Sequence, residues 1–120
     1  MHRKPLLCLL LGLVLSGCAG RPPQSLYGWG NYQDQLYEHF KGDGSSASEQ
    51  LTALEENLQK LRADGQAIPP GYHAHLGMLY AALGKEDQMI EQWRIEQRLF
   101  PESSAYLDFL MRNYPRGATK

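Results

Sequence analysis

The sequence predicts an all-α protein of antiparallel helical hairpins, about five helices in all, behind an apolar N-terminal segment and a short tether. Three observations carry that expectation. From Trp29 onward the apolar residues recur three and four positions apart, and no stretch alternates strictly as a half-buried strand would. Turn and helix-boundary residues punctuate this pattern: Gly42-Asp43-Gly44, Ser46 with Glu49, Asp64-Gly65, Pro69-Pro70-Gly71, Gly84 and Pro101. Finally, residue types in the second half repeat at a spacing of 34.

The chain opens MHRKP, so Arg3 and Lys4 precede an apolar run over residues 6–15 that is too short to span a bilayer as a permanent helix. Small residues follow, in the block Leu15-Ser16-Gly17-Cys18. The block resembles the bacterial lipobox. That resemblance implies a diacylglycerol on the Cys18 thiol, cleavage between Gly17 and Cys18, and acylation of the new amino terminus. Small side chains at Ser16 and Gly17 would let a peptidase reach the backbone beside a lipidated cysteine. The competing readings are a cleaved signal with a chance cysteine and an uncleaved anchor helix. Cys8 lies within the apolar run, so cleavage leaves Cys18 as the one cysteine and excludes an internal disulfide. A lone thiol in an oxidising compartment is a liability, whereas a thioether is inert. No cofactor is expected beyond this covalent lipid, palmitate included. Ala19 is not the Asp that, by resemblance to Gram-negative lipoproteins, signals inner-membrane retention. The implied location is the periplasmic face of the outer membrane.

The chain of 120 residues thus divides into a signal peptide (1–17), a lipidated tether (18–26), one helical domain (27–114) and a tail (115–120). The tether is small, polar and proline-containing, as in Arg21-Pro22-Pro23. Loss of Arg3 and Lys4 leaves ten basic residues against thirteen acidic ones, a net charge near −3. That balance excludes an electrostatic case for nucleic acid.

In the first predicted helix Trp29, Tyr32, Leu36 and Phe40 share one face, and Gly42-Asp43-Gly44 ends it. Ser46-Ala47-Ser48-Glu49 has the spacing of a capping box, in which serine and glutamate each satisfy a backbone group at a helix start. A stripe of Leu51, Leu54, Leu58 and Leu61 follows, up to Asp64-Gly65. Glu56 and Lys60 form a pair worth only about 0.3 kcal/mol on a solvent face.

From Pro69-Pro70-Gly71 onward, Leu76, Gly77, Tyr80, Gly84, Trp93 and Pro101 stand at the offsets of a tetratricopeptide (TPR) repeat. Gly77 would allow close approach of two helices, Tyr80 and Trp93 would fill the space between them, Gly84 would make the turn and Pro101 would stop the second helix. A step of 34 carries Tyr72 to Tyr106, Leu76 to Leu110 and Tyr80 to Tyr114, so a third motif begins and ends after one helix at residues 104–114. Stepping backward gives a degenerate first repeat with a longer loop. Met89 and Glu96 stand where small residues are usual, which predicts looser or shifted packing there.

The stretch Ala74-His75-Leu76-Gly77, continuing through Gly84-Lys85 to Phe100-Pro101-Glu102-Ser103-Ser104, also resembles a family of short bacterial lipoproteins of unknown function. They have TPR-like helices and are often encoded beside a lipoprotein similar to the curli secretion pore and another small lipoprotein. The resemblance covers most of the chain from Tyr27 and carries no catalytic residues. It implies envelope proteins, other small lipoproteins among them, as partners, and an accessory role in assembling a secretion-type outer-membrane complex.

Candidate chemistry is sparse. His73 and His75, with His39 as a third, are the best metal ligands on offer. A spacing of two turns their side chains about 200° apart on a helix, so no metal site is expected. Glu55 and Glu56 sit on a polar face and make no catalytic pair, and the serines cluster where capping explains them. Tyr27, Tyr37, Tyr72 and Tyr106 lie beside the stripe residues, on the side that TPR proteins use for peptides. Tyr72, His73, Tyr106 and Phe109 are the predicted partner-binding residues. The expectation is a non-enzymatic interaction module held at a membrane; the alternative is a small periplasmic ligand-binding protein or hydrolase, which would need polar groups converging in a pocket.

Overall fold

Ser46 and Glu49 start the longest helix as their spacing predicts: the Glu49 backbone N–H donates to Ser46 Oγ and the Ser46 N–H donates to Glu49 Oε2 at 2.7 Å. The computed structural model describes residues 20, 24–42 and 45–115. Cys18, the segment 1–17, most of the tether and the tail from 116 onward lie outside the described residues.

Among the described residues are five α-helices and no strand. They are α1 (Tyr32–Lys41), α2 (Ala47–Ala63), α3 (Tyr72–Ala82), α4 (Glu86–Leu99) and α5 (Ser104–Asn113). A 3₁₀ turn over Pro101–Ser103 precedes α5. Pro101 cannot donate a backbone hydrogen bond, and α4 ends two residues before it. Each helix packs on the next in chain order, α3 on α4 most extensively. The result is an array of helical hairpins consistent with TPR-like packing. No helix among the described residues is long and apolar enough to cross a membrane.

Among the described residues, two apolar clusters hold the array. The first joins α1, α2 and α3 through Tyr32, Leu51, Leu54, Leu58, Leu61, Tyr72, Leu76 and Leu79. The second joins α3, α4 and α5 through Met89, Trp93 and Leu107, with Ala81, Leu110 and Tyr114 packed against them. Tyr80 touches both clusters, so α3 is the shared wall. Full burial of one leucine contributes roughly 1.5–3 kcal/mol, and the four-leucine stripe of α2 makes this helix the principal apolar support of the first hairpin.

Close approach of α3 and α4 depends on Gly77: a methyl group there would collide with the indole of Trp93, whose Nε1 donates to the Ala74 carbonyl at 3.0 Å. Gly84, at φ +69°, makes the turn between these helices in a conformation that other residues resist.

Two expectations are corrected by the fold. Phe40 is 74% exposed and Trp29 37% exposed, so the predicted face of α1 is only half right. At 100° per residue Phe40 lies about 80° round from buried Tyr32, whereas His39 lies only about 20° away and points inward in its place. Of the looser or shifted packing expected at Met89 and Glu96, looseness is not found, because both are at least 98% buried. Met89 conforms to the space beneath Trp93, and Glu96 finds backbone donors.

Candidate functional site

The helix α3 begins after Pro69-Pro70-Gly71, and its N-cap residue Gly71 has no side chain with which to satisfy the first backbone N–H groups. Glu96 of α4 supplies what is missing. Its Oε1 accepts from the Gly71 N–H at 2.6 Å, and its Oε2 accepts from the His73 and Ala74 N–H groups at 3.1 and 3.2 Å. A buried carboxylate thus sits at the positive end of the α3 dipole, where negative charge is favoured. The last turn of α4 lies against the first turn of α3, as an antiparallel hairpin requires.

The polar side chains of α3 turn to different neighbours. Tyr72 is fully buried against α2, donating its hydroxyl to the Leu54 carbonyl at 2.7 Å and accepting from Asn57 Nδ2 at 2.9 Å. Its ring stacks on Tyr32, with centroids 4.9 Å apart. His73 turns toward α4, where Nδ1 meets Gln92 Oε1 at 2.7 Å. His75 turns toward α1 and meets the His39 ring edge-on, with centroids 4.8 Å apart. His73 and His75 therefore diverge, as their spacing predicts, and of the two His39 meets His75. Neither ring nitrogen of His75 has a hydrogen-bond partner among the described residues. Burial, and secondarily the charge on His39, press its pKa down to about 4, so the ring is neutral at pH 7.

Tyr80 donates a hydrogen bond to the Glu55 carboxylate. Desolvation, that bond and the carboxylates of Glu55 and Glu91 push its hydroxyl up to about 12. Glu55 is half-buried at the α2–α3 seam, whereas its neighbour Glu56 is exposed.

These positions revise the predicted partner surface. Tyr72 and His73 are at most 1% exposed and face α2 and α4, so neither can meet a partner in this fold. The step of 34 that matched Tyr72 to Tyr106 ignored the missing neighbour: Tyr72 has α1 and α2 on one side, whereas Tyr106 of α5 has no further hairpin over it among the described residues. Tyr106 is 65% and Phe109 53% exposed, and Leu107 alone on α5 is buried. The Tyr114 hydroxyl donates to the Ala81 carbonyl at 3.2 Å and ties the end of α5 to α3.

The profile of a domain of unknown function, DUF4810, matches residues 26–110. The chain belongs to the DUF4810 family. No curated protein and no solved structure matches it. The DUF4810 span begins at the exposed Leu26 and ends within α5, so it takes in the buried residues of both apolar clusters, the Glu96 cap and the exposed pair Tyr106 and Phe109. Cys18 lies upstream of it.

Among the residues that give the DUF4810 domain its internal polar contacts, sequence reasoning missed the role of Glu96 and the His39–His75 contact. Glu96 stood out as a departure from the repeat pattern, and a charged residue at a small-residue position was the signal available. For His39, the spacing of seven from Tyr32 was the corresponding clue.

Proposed function

We propose that this protein is a lipid-anchored envelope protein and a non-enzymatic protein–protein interaction module, held by Cys18 at the periplasmic face of the outer membrane and binding other envelope proteins through α5. The carrying observation is the unfinished third repeat, which leaves Tyr106 and Phe109 outside the core at the end of the array. Repeat arrays need polar caps at their ends, and two exposed aromatics one helical turn apart make a poor cap but a good docking edge. The reading as a non-enzyme is supported by the engagement of four conspicuous polar groups: Glu96 on backbone N–H groups, Tyr72 on Leu54 and Asn57, His73 on Gln92, Tyr80 on Glu55. Confinement by the anchor raises the effective concentration near other membrane proteins, so a modest surface suffices. The sharpest form of the proposal is an accessory role in assembling a secretion-type pore, supported by the lipoprotein family that the sequence resembles.

The test pairs anchor and surface. Cys18→Ser should abolish incorporation of labelled palmitate and release the protein from membranes. Tyr106→Ser with Phe109→Ser should leave folding within about 0.5 kcal/mol of the parent, since both side chains are exposed. The double variant should nonetheless lose the proteins captured from detergent-solubilised membranes. A parent protein that carries no label, or a capture pattern unchanged by the double substitution, overturns the respective half.

A further inference from the structure

At the other end of the array, α1 carries an outer stripe with no hairpin over it among the described residues. Tyr37 is 63% and Phe40 74% exposed, and they lie about 60° apart around the helix. Gln33 falls between them, Lys41 flanks Tyr37 with Nζ 5.9 Å from its ring centre, and Asp34 stands at the rim. Two aromatics with a lysine on one helical face match the chemistry of a bilayer interface, where rings sit at headgroup depth and a lysine stem lies along apolar surface with its ammonium among phosphates.

The chain upstream says what covers this face. The Gly28 N–H donates to the Ala67 carbonyl at 2.8 Å, and Asn31 Nδ2 donates to the Ala53 carbonyl at 3.3 Å, so the entry to α1 is fastened to the domain. Leu26, 84% exposed, marks where the tether leaves. It lies eight positions after Cys18, a reach of at most about 28 Å when fully extended. At that range the bilayer is present at an effective concentration near millimolar, enough for a weak interfacial contact to be occupied.

We propose that the α1 stripe of Gln33, Tyr37, Phe40 and Lys41 rests on the surface of the anchoring bilayer and orients the array, α5 pointing away. The proposal rests on the lipid anchor at Cys18, and the experiment separates the two. Because lipidation consumes the one cysteine of the processed chain, an added cysteine is a unique labelling site. The full lipoprotein carrying Gln33→Cys on α1, or Arg112→Cys on α5, is extracted in detergent, nitroxide-labelled and reconstituted into phosphatidylethanolamine–phosphatidylglycerol vesicles. Collision with aqueous nickel chelate and with oxygen is then measured. The expected result is several-fold lower nickel accessibility and higher oxygen accessibility at position 33 than at 112, lost when Tyr37→Ser and Phe40→Ser are added. Protein that carries no palmitate and does not float with vesicles overturns the anchor itself. Protein that floats but has equal accessibility at both positions overturns the α1 contact and leaves the anchor standing. Spin–spin broadening at position 33 that grows with protein density assigns the face to a second copy, and protection that requires added membrane proteins assigns it to a protein partner; either result overturns the lipid contact.

Discussion

Glu96 closes α3 in place of the side-chain cap that Gly71 cannot provide, and its removal should be among the costliest single changes in the chain. Glu96→Ala strands three backbone donors and leaves a cavity, which predicts a loss of about 3 kcal/mol in urea unfolding. Glu96→Gln keeps the shape but sets an amide against backbone N–H groups, so about 1–2 kcal/mol should go. His75 gives the protein a pH dependence of definite sign. Its folded pKa, about 4, lies below the ordinary 6.5, so the unfolded chain binds the proton more readily between those values. Stability is therefore full above pH 6.5 and falls as the pH drops toward 4, by up to about 3 kcal/mol from this residue. His75→Leu should flatten the pH profile of the unfolding midpoint over that window; an unchanged slope would show that other groups carry it. Neither residue's role could be read locally, because each depends on a partner far away in sequence, 25 residues for Glu96 and 36 for His75.

The elements themselves were largely legible. Ser46 and Glu49 cap α2, Gly84 turns the chain, Pro101 halts α4, and Leu51, Leu54, Leu58 and Leu61 are all buried, because caps, turns and a four-leucine stripe are local physics. The first helix departs from expectation because apolar spacing favours Phe40, at the edge of the face, over the polar His39 near its centre. The spacing of seven from Tyr32 puts His39 on the inward face, but its partner His75 comes from α3, 36 residues on. The Gly77–Trp93 contact was also foreseeable from the repeat, and it supports a quantitative expectation. Gly77→Ala should push the indole off the Ala74 carbonyl and cost about 2–3 kcal/mol despite the higher helix propensity of alanine. Gly77→Ala combined with Trp93→Phe should recover part of that loss, and thermal unfolding of the two variants decides it.

The whole molecule is a short stack whose two ends differ from its middle. In the middle, α3 shares both clusters; at the ends, α1 and α5 each bury one side and leave aromatics outside. Removal of residues 104–120 should uncover Met89 and Trp93 by taking away Leu107, with a red-shifted tryptophan emission and a lower unfolding temperature. The buried polar ties remain once the chain is folded, but the Glu96 tie also governs when folding can happen. A chain threaded amino end first must deliver residue 96 before the turn at Gly71 can be sealed. The central hairpin is thus sealed at its Gly71 end only by a residue of its second helix, so a chain cut before residue 96 should leave that end of α3 uncapped.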